Sequence, residues 1–188
     1  MFQRIIRDLP NCITLFRIVL IPIFVGVFYL QTPWSHTIAA AIFALAGLTD
    51  WLDGYLARAL GQTSHLGAFL DPVADKLLVA VALVLIVGEI DIPYLAIPAA
   101  VIVGREVVVS ALREWMAEMG KRTSVAVSFI GKIKTATQML AIFTLLLYVR
   151  DNEIVAVLGA SLLYIAAFLT LWSMIMYLRV AWPDLKHR

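Results

Sequence analysis

Cysteine, histidine and charge are what this chain of 188 residues has least of. The single cysteine, Cys12, excludes an internal disulfide framework and leaves no cysteine-based metal site. His36, His65 and His187 fall in loops or the tail and form no cluster. Charged residues make up 15% of the chain and apolar ones 62%, against about 25% and 45–50% in an ordinary soluble domain. That balance excludes a soluble globular enzyme as the starting expectation, and it excludes disorder. There is no Ser/Gly linker, no long polar tract and no internal repeat, so one domain is expected over residues 1–188. No small-residue cleavage pattern follows the first apolar run; Gln31-Thr32-Pro33-Trp34 stands there instead, and the run reads as a retained span.

What is present is one apolar run after another, with a mean hydropathy of +0.92. Six spans are expected, at about 13–30, 37–58, 70–87, 92–115, 124–149 and 154–179. Ahead of them, Phe2, Ile5, Ile6 and Leu9 share one helical face, with Gln3, Arg4, Arg7 and Asp8 opposite. This spacing predicts a short interfacial amphipathic helix ended by Pro10. The fold class is therefore all-α: a polytopic membrane protein of six transmembrane helices and that amino-terminal helix. With six spans, fourteen of the fifteen Lys and Arg residues fall on one side, and Arg150 alone falls on the other. The positive-inside rule then makes both termini cytoplasmic. Most of the tryptophans fall near span ends, the usual interfacial position.

The anomaly in so apolar a chain is acidic. Asp50, Asp53, Asp71 and Asp75 all fall at or near the cytoplasmic ends of the second and third spans. An aspartate at a span centre costs about 2.5–3.5 kcal/mol on insertion scales, so four together call for compensation. Asp50, Asp53, Gly54 and Ala57 share one helical face, and Asp71 and Asp75 are one turn apart on the next helix. Pro72 suits a first helical position, which would start that helix beside Asp71. All-oxygen ligands favour Mg²⁺, Mn²⁺ or Ca²⁺, and four carboxylates balance two divalent ions. Such a pair clamps the attacking and leaving oxygens of a phosphoryl-type displacement. The plainer reading, that the aspartates cap helices or pair with Arg58 and Lys76, accounts for one or two of them and not for the shared face. Arg58, one turn beyond Gly54, suits a phosphate.

Residues 50–75 match D-x2-D-G-x2-A-R-x8-G-x3-D-x3-D at every fixed position: Asp50, Asp53, Gly54, Ala57, Arg58, Gly67, Asp71 and Asp75. At ordinary residue frequencies the chance of that coincidence is about 10⁻¹⁰ per start position. The pattern resembles the signature of the CDP-alcohol phosphotransferases, whose six-span architecture agrees with the count above. The resemblance implies two metal ions, Mg²⁺ or Mn²⁺, on the four aspartates, with Asp75 also the general base. It implies that Gly54, Ala57, Arg58 and Gly67 hold the CDP moiety. Three further stretches are similar to family members that take glycerol 3-phosphate: Pro10–Arg17, Gly104–Glu114 and Gly131–Thr135. The implied reaction joins CDP-diacylglycerol and glycerol 3-phosphate to give phosphatidylglycerophosphate and CMP at the cytoplasmic face of the inner membrane. A homodimer is implied as well, and no nucleic-acid partner is expected.

Glycerol 3-phosphate is about a dianion, so its pocket needs cations. Arg105, Arg113, Lys132 and Lys134 are the candidates; the arginines are eight residues apart on nearly one helical face, whereas the two lysines cannot face one pocket equally. Glu106 and Glu114 sit about 100° around the helix from their neighbouring arginines. Neither is expected to partner them, which leaves the missing anion to the substrate. Two alternatives stay open: another acceptor, such as an inositol phosphate or serine, and a divalent-cation transporter. A transporter would need carboxylates near mid-membrane in both halves of a repeat.

Overall fold

A computed structural model describes residues 2–30, 32–60, 65–118, 129–148 and 152–186, and the side chains at 14–30, 32–49, 70, 72–118, 131, 133–148, 152–179 and 182. Among these residues there are six helices and no strand: α1 (Phe2–Phe28), α2 (Ser35–Leu60), α3 (His65–Glu89), α4 (Ala96–Glu118), α5 (Phe129–Leu146) and α6 (Glu153–Lys186). α2, α3 and α6 contain their expected apolar runs, α1 and α4 contain all but a few end residues of theirs, and α5 covers the middle of the run expected at 124–149, of which 124–128 and 149 lie outside the described residues. The expected separators at 61–64, 120–122 and 150–151 lie outside the described residues.

Two boundaries differ from the sequence reading. The amino-terminal piece is not set off by Pro10, because α1 runs unbroken from Phe2 to Phe28. Proline removes one backbone bond and does not end a helix whose neighbouring turns hold, as membrane helices often show. Nor does Pro72 open α3: that helix begins at His65, and Pro72 lies inside it. Gly67, Asp71 and Asp75 therefore occupy successive turns of a single helix.

Close contacts gather the chain into two compact units, Met1–Glu89 with Leu146–Asp151 and Ile90–Leu145 with Asn152–Arg188. In the first unit α1 packs on α2 and on α3. Phe24 of α1 meets Phe43 of α2 with ring centroids 6.4 Å apart. Ala39, Ala40, Phe43 and Ala46 form the buried stripe of α2, and Ala74, Leu78 and Ala82 that of α3. Alanines at these positions let helix backbones approach closely. In the second unit α4 packs on α6. Gly159 of α6 lies so close to α5 that an added Cβ would stand 2.8 Å from Leu145 Cγ. A side chain there would require the Leu145 side chain to shift.

Among the described residues the interior is largely apolar, yet the outer surface is strongly apolar too and several polar groups lie inside. Large apolar side chains face outward, with Val84 68% and Phe168 64% exposed. Thr14, Arg17, Arg105, Lys134, Gln138, Thr170 and Ser173 are buried. Extensive exposed apolar surface marks contact with lipid or protein, and inward-facing polar groups are the membrane pattern. Glu153–Arg179 is long and apolar enough to cross a membrane; Thr14–Phe28, Ser35–Thr49 and Ile133–Leu146 are shorter apolar helical stretches. These lengths are those of the described residues, and charged residues lie within the helices: Arg17 in α1, Asp75 and Lys76 in α3, Arg105, Glu106 and Arg113 in α4, and Lys134 in α5.

Candidate active site

Two groups of charged residues stand out, one in each unit. In the first, Asp50 and Asp53 lie on the last turns of α2, and Asp71 and Asp75 near the start of α3. The two helices touch. Along their axes, Asp53 is about 10 Å from the end of α2 and Asp71 about 9 Å from the start of α3, while Asp50 and Asp75 are each about 15 Å away. Along the backbone, Asp53 and Asp50 are thus set back from the end of α2 about as far as Asp71 and Asp75 are from the start of α3. The side chains of Asp50, Asp53, Arg58 and Asp71 lie outside the described residues, as do the surroundings of Gly54, Ala57 and Gly67. The described side chains include no group of three metal-ligating residues. The donor chemistry of this set, carboxylate oxygens only, fits a hard divalent ion.

Asp75 is the described member. Its side chain is 55% exposed, and its Oδ1 lies 3.9 Å from Nη1 of Arg17, which is fully buried in α1. A half-exposed carboxylate beside a buried guanidinium can take a proton from a ligand that reaches it. From sequence alone, Arg17 is a topological charge and the end of the Pro10–Arg17 stretch, with no role assigned beside Asp75. A lone arginine in an apolar run was the available signal, since a cation there is costly without a partner.

In the second unit, α4, α5 and α6 build a cluster of cations. Arg105 is buried; it donates from Nη1 to Glu106 Oε1 at 2.9 Å and from Nη2 to Ser173 Oγ at 2.8 Å. Lys134 of α5, also buried, donates to the same Glu106 oxygen at 2.6 Å. Arg113, exposed, donates from Nη2 to Tyr177 Oη at 2.8 Å. This corrects the expectation for Glu106, which bridges Arg105 and Lys134. An angular offset of 100° separates Cβ directions, but a long arginine side chain beside a glutamate can curl to meet it. The expected division between the lysines is half visible: Lys134 points into the cluster, and the Lys132 side chain lies outside the described residues.

Three cations and one carboxylate leave this cluster with a net charge of about +2 at neutral pH. Arg105 Nε, buried, has no hydrogen-bond partner. An unpaired buried donor beside excess positive charge suits an anionic oxygen. The sequence reading missed Ser173 and Tyr177. Their signal is present, because Thr170, Ser173 and Tyr177 recur at intervals of three and four along an otherwise apolar α6.

The chain belongs to the CDP-alcohol phosphatidyltransferase family, which it matches over residues 7–172. Among its curated relatives is the CDP-diacylglycerol–glycerol-3-phosphate 3-phosphatidyltransferase of Sodalis glossinidius, 54% identical over 178 residues, which cover 95% of this chain and 97% of the relative. The proteins of the same name from Pectobacterium atrosepticum and Escherichia coli match with the same identity and coverage.

Proposed function

We propose that this chain transfers the phosphatidyl group of CDP-diacylglycerol to glycerol 3-phosphate, releasing CMP and phosphatidylglycerophosphate. The observation that carries the reading is the 54% identity, over 97% of their length, to enzymes bearing that name. The acceptor's hydroxyl gives its proton to Asp75 as its oxygen bonds to the diacylglycerol-bearing phosphorus, and the bond from that phosphorus to CMP breaks. Two divalent ions, Mg²⁺ or Mn²⁺, on Asp50, Asp53, Asp71 and Asp75 would supply neutralisation of the charge that builds on the phosphates. Gly54, Ala57, Arg58 and Gly67 hold the CDP moiety, the three small residues leaving room and the arginine meeting a phosphate. Arg105, Arg113, Lys132 and Lys134 hold the acceptor's phosphate, and the net positive charge of their cluster supports that role.

We read all six helices as membrane spans of one domain, with both termini and both charged groups on the cytoplasmic side of the inner membrane. The outward apolar surface and the fourteen-to-one split of Lys and Arg support this. The family match passes through both units, which supports a single domain. In a Cys12→Ser background, an impermeant thiol reagent should label Asn152→Cys from outside the cell and leave Glu118→Cys untouched; the reverse pattern refutes the topology. Light scattering of the purified protein in detergent checks the homodimer that the family resemblance implies. Activity is tested with purified protein, CDP-diacylglycerol and Mg²⁺. Glycerol 3-phosphate should support CMP release, and chelator should stop it. CMP release with serine or an inositol phosphate and none with glycerol 3-phosphate would overturn the reading.

A further inference from the structure

The two arginines of α4 carry like charges on nearly one helical face, and neither is fixed by its own helix alone. A single side chain of α6 touches both. The Tyr177 ring has the Arg113 guanidinium carbon 5.2 Å from its centroid and that of Arg105 6.0 Å away. Its hydroxyl also accepts the Arg113 Nη2 bond at 2.8 Å. Both distances fall at or within the roughly 6 Å at which a ring face attracts a cation. One turn earlier on α6, Ser173 accepts from Arg105 Nη2. Arg105 is thus held by Glu106, Ser173 and the ring, whereas among the described residues the polar contacts of Arg113 are with Tyr177. An exposed arginine freed from such a contact samples many rotamers, and a ligand must then gather it.

We infer that Tyr177 is a positioning residue for acceptor recognition: its ring and hydroxyl hold Arg113, and its ring braces Arg105, in the arrangement that receives the acceptor's phosphate. This rests on the assignment of those arginines to glycerol 3-phosphate. Tyr177 itself need not touch the substrate.

The test is steady-state kinetics of the purified full-length protein in detergent, with each substrate varied in turn. Tyr177→Leu, which removes ring and hydroxyl, should raise the KM for glycerol 3-phosphate about tenfold. Tyr177→Phe, which keeps the ring, should raise it about threefold and so restore part of the loss. In both variants kcat and the KM for CDP-diacylglycerol should stay within about twofold of the parent, a split that general loosening of α6 would not produce. Should Tyr177→Leu fail to fold, Tyr177→Phe decides alone. An unchanged KM for glycerol 3-phosphate in every folded Tyr177 variant, or a fall confined to kcat, overturns the inference. Arg113→Ala measured alongside separates the two failures. If it raises that KM while the Tyr177 variants do not, the positioning role is wrong and the acceptor site stands. If it too leaves the KM unchanged, the acceptor site itself is misassigned and the positioning role falls with it.

Discussion

The acidic group and the basic group solve opposite electrostatic problems. Asp50, Asp53, Asp71 and Asp75 crowd like charges onto two touching helices, and the one described in full, Asp75, stays 55% exposed. Arg105 and Lys134 are buried, and Glu106 already bridges them. In the proposed function the acidic set takes up divalent cations from outside the chain, in addition to the Arg17 guanidinium beside Asp75. The basic set is compensated in part from within, by the carboxylate of Glu106. Removing a charge should accordingly relieve the first group and damage the second.

The largest expected effect lies in the acidic group. Asp71→Asn keeps the size of the side chain and removes a ligand charge. Activity should fall at least about a thousandfold. The yield of folded protein should hold, and in chelator the variant should unfold at or above the parent's temperature, because repulsion between carboxylates is reduced. CMP release and thermal unfolding measure the two halves separately. An Asp71→Asn protein that still releases CMP in chelator would remove the metal from the account.

A smaller effect of opposite sign is expected in the basic group. Glu106→Gln leaves Arg105 and Lys134 without their shared carboxylate, and the stability lost should be about 1–3 kcal/mol. Much of it should return when glycerol 3-phosphate or inorganic phosphate is added, because a bound anion stabilises the state that binds it. Unfolding temperatures of parent and variant, with and without the anion, give the comparison. A variant as stable as the parent would mean that Glu106 is not the internal counter-charge.

The two groups also differ in how plainly the sequence shows them. The aspartate set occupies residues 50–75, on adjacent helices, so its spacing could be read directly as two faces. Extension of α3 back to His65 was the part not visible, because Pro72 is as acceptable inside a membrane helix as at its start. The basic set joins Arg105, Lys134, Ser173 and Tyr177 from three helices. Sequence shows that such residues interrupt apolar runs; it does not show which will meet. Glu106 was misjudged because angular position on a helix was used in place of side-chain reach. The six helices were legible from the apolar runs and the turn residues between them, whereas the starts of α1 and α3 were not.

The central claim is a division of labour: the aspartate helices take the liponucleotide, and the cations of α4 and α5 take the acceptor's phosphate. Kinetics of purified Arg113→Ala, with glycerol 3-phosphate and CDP-diacylglycerol varied in turn, test it most directly. The account predicts a rise of about 10- to 100-fold in the KM for glycerol 3-phosphate, the loss of one charge-assisted bond to a phosphate, with the KM for CDP-diacylglycerol nearly unchanged. A rise for CDP-diacylglycerol alone, or for neither substrate, would contradict it.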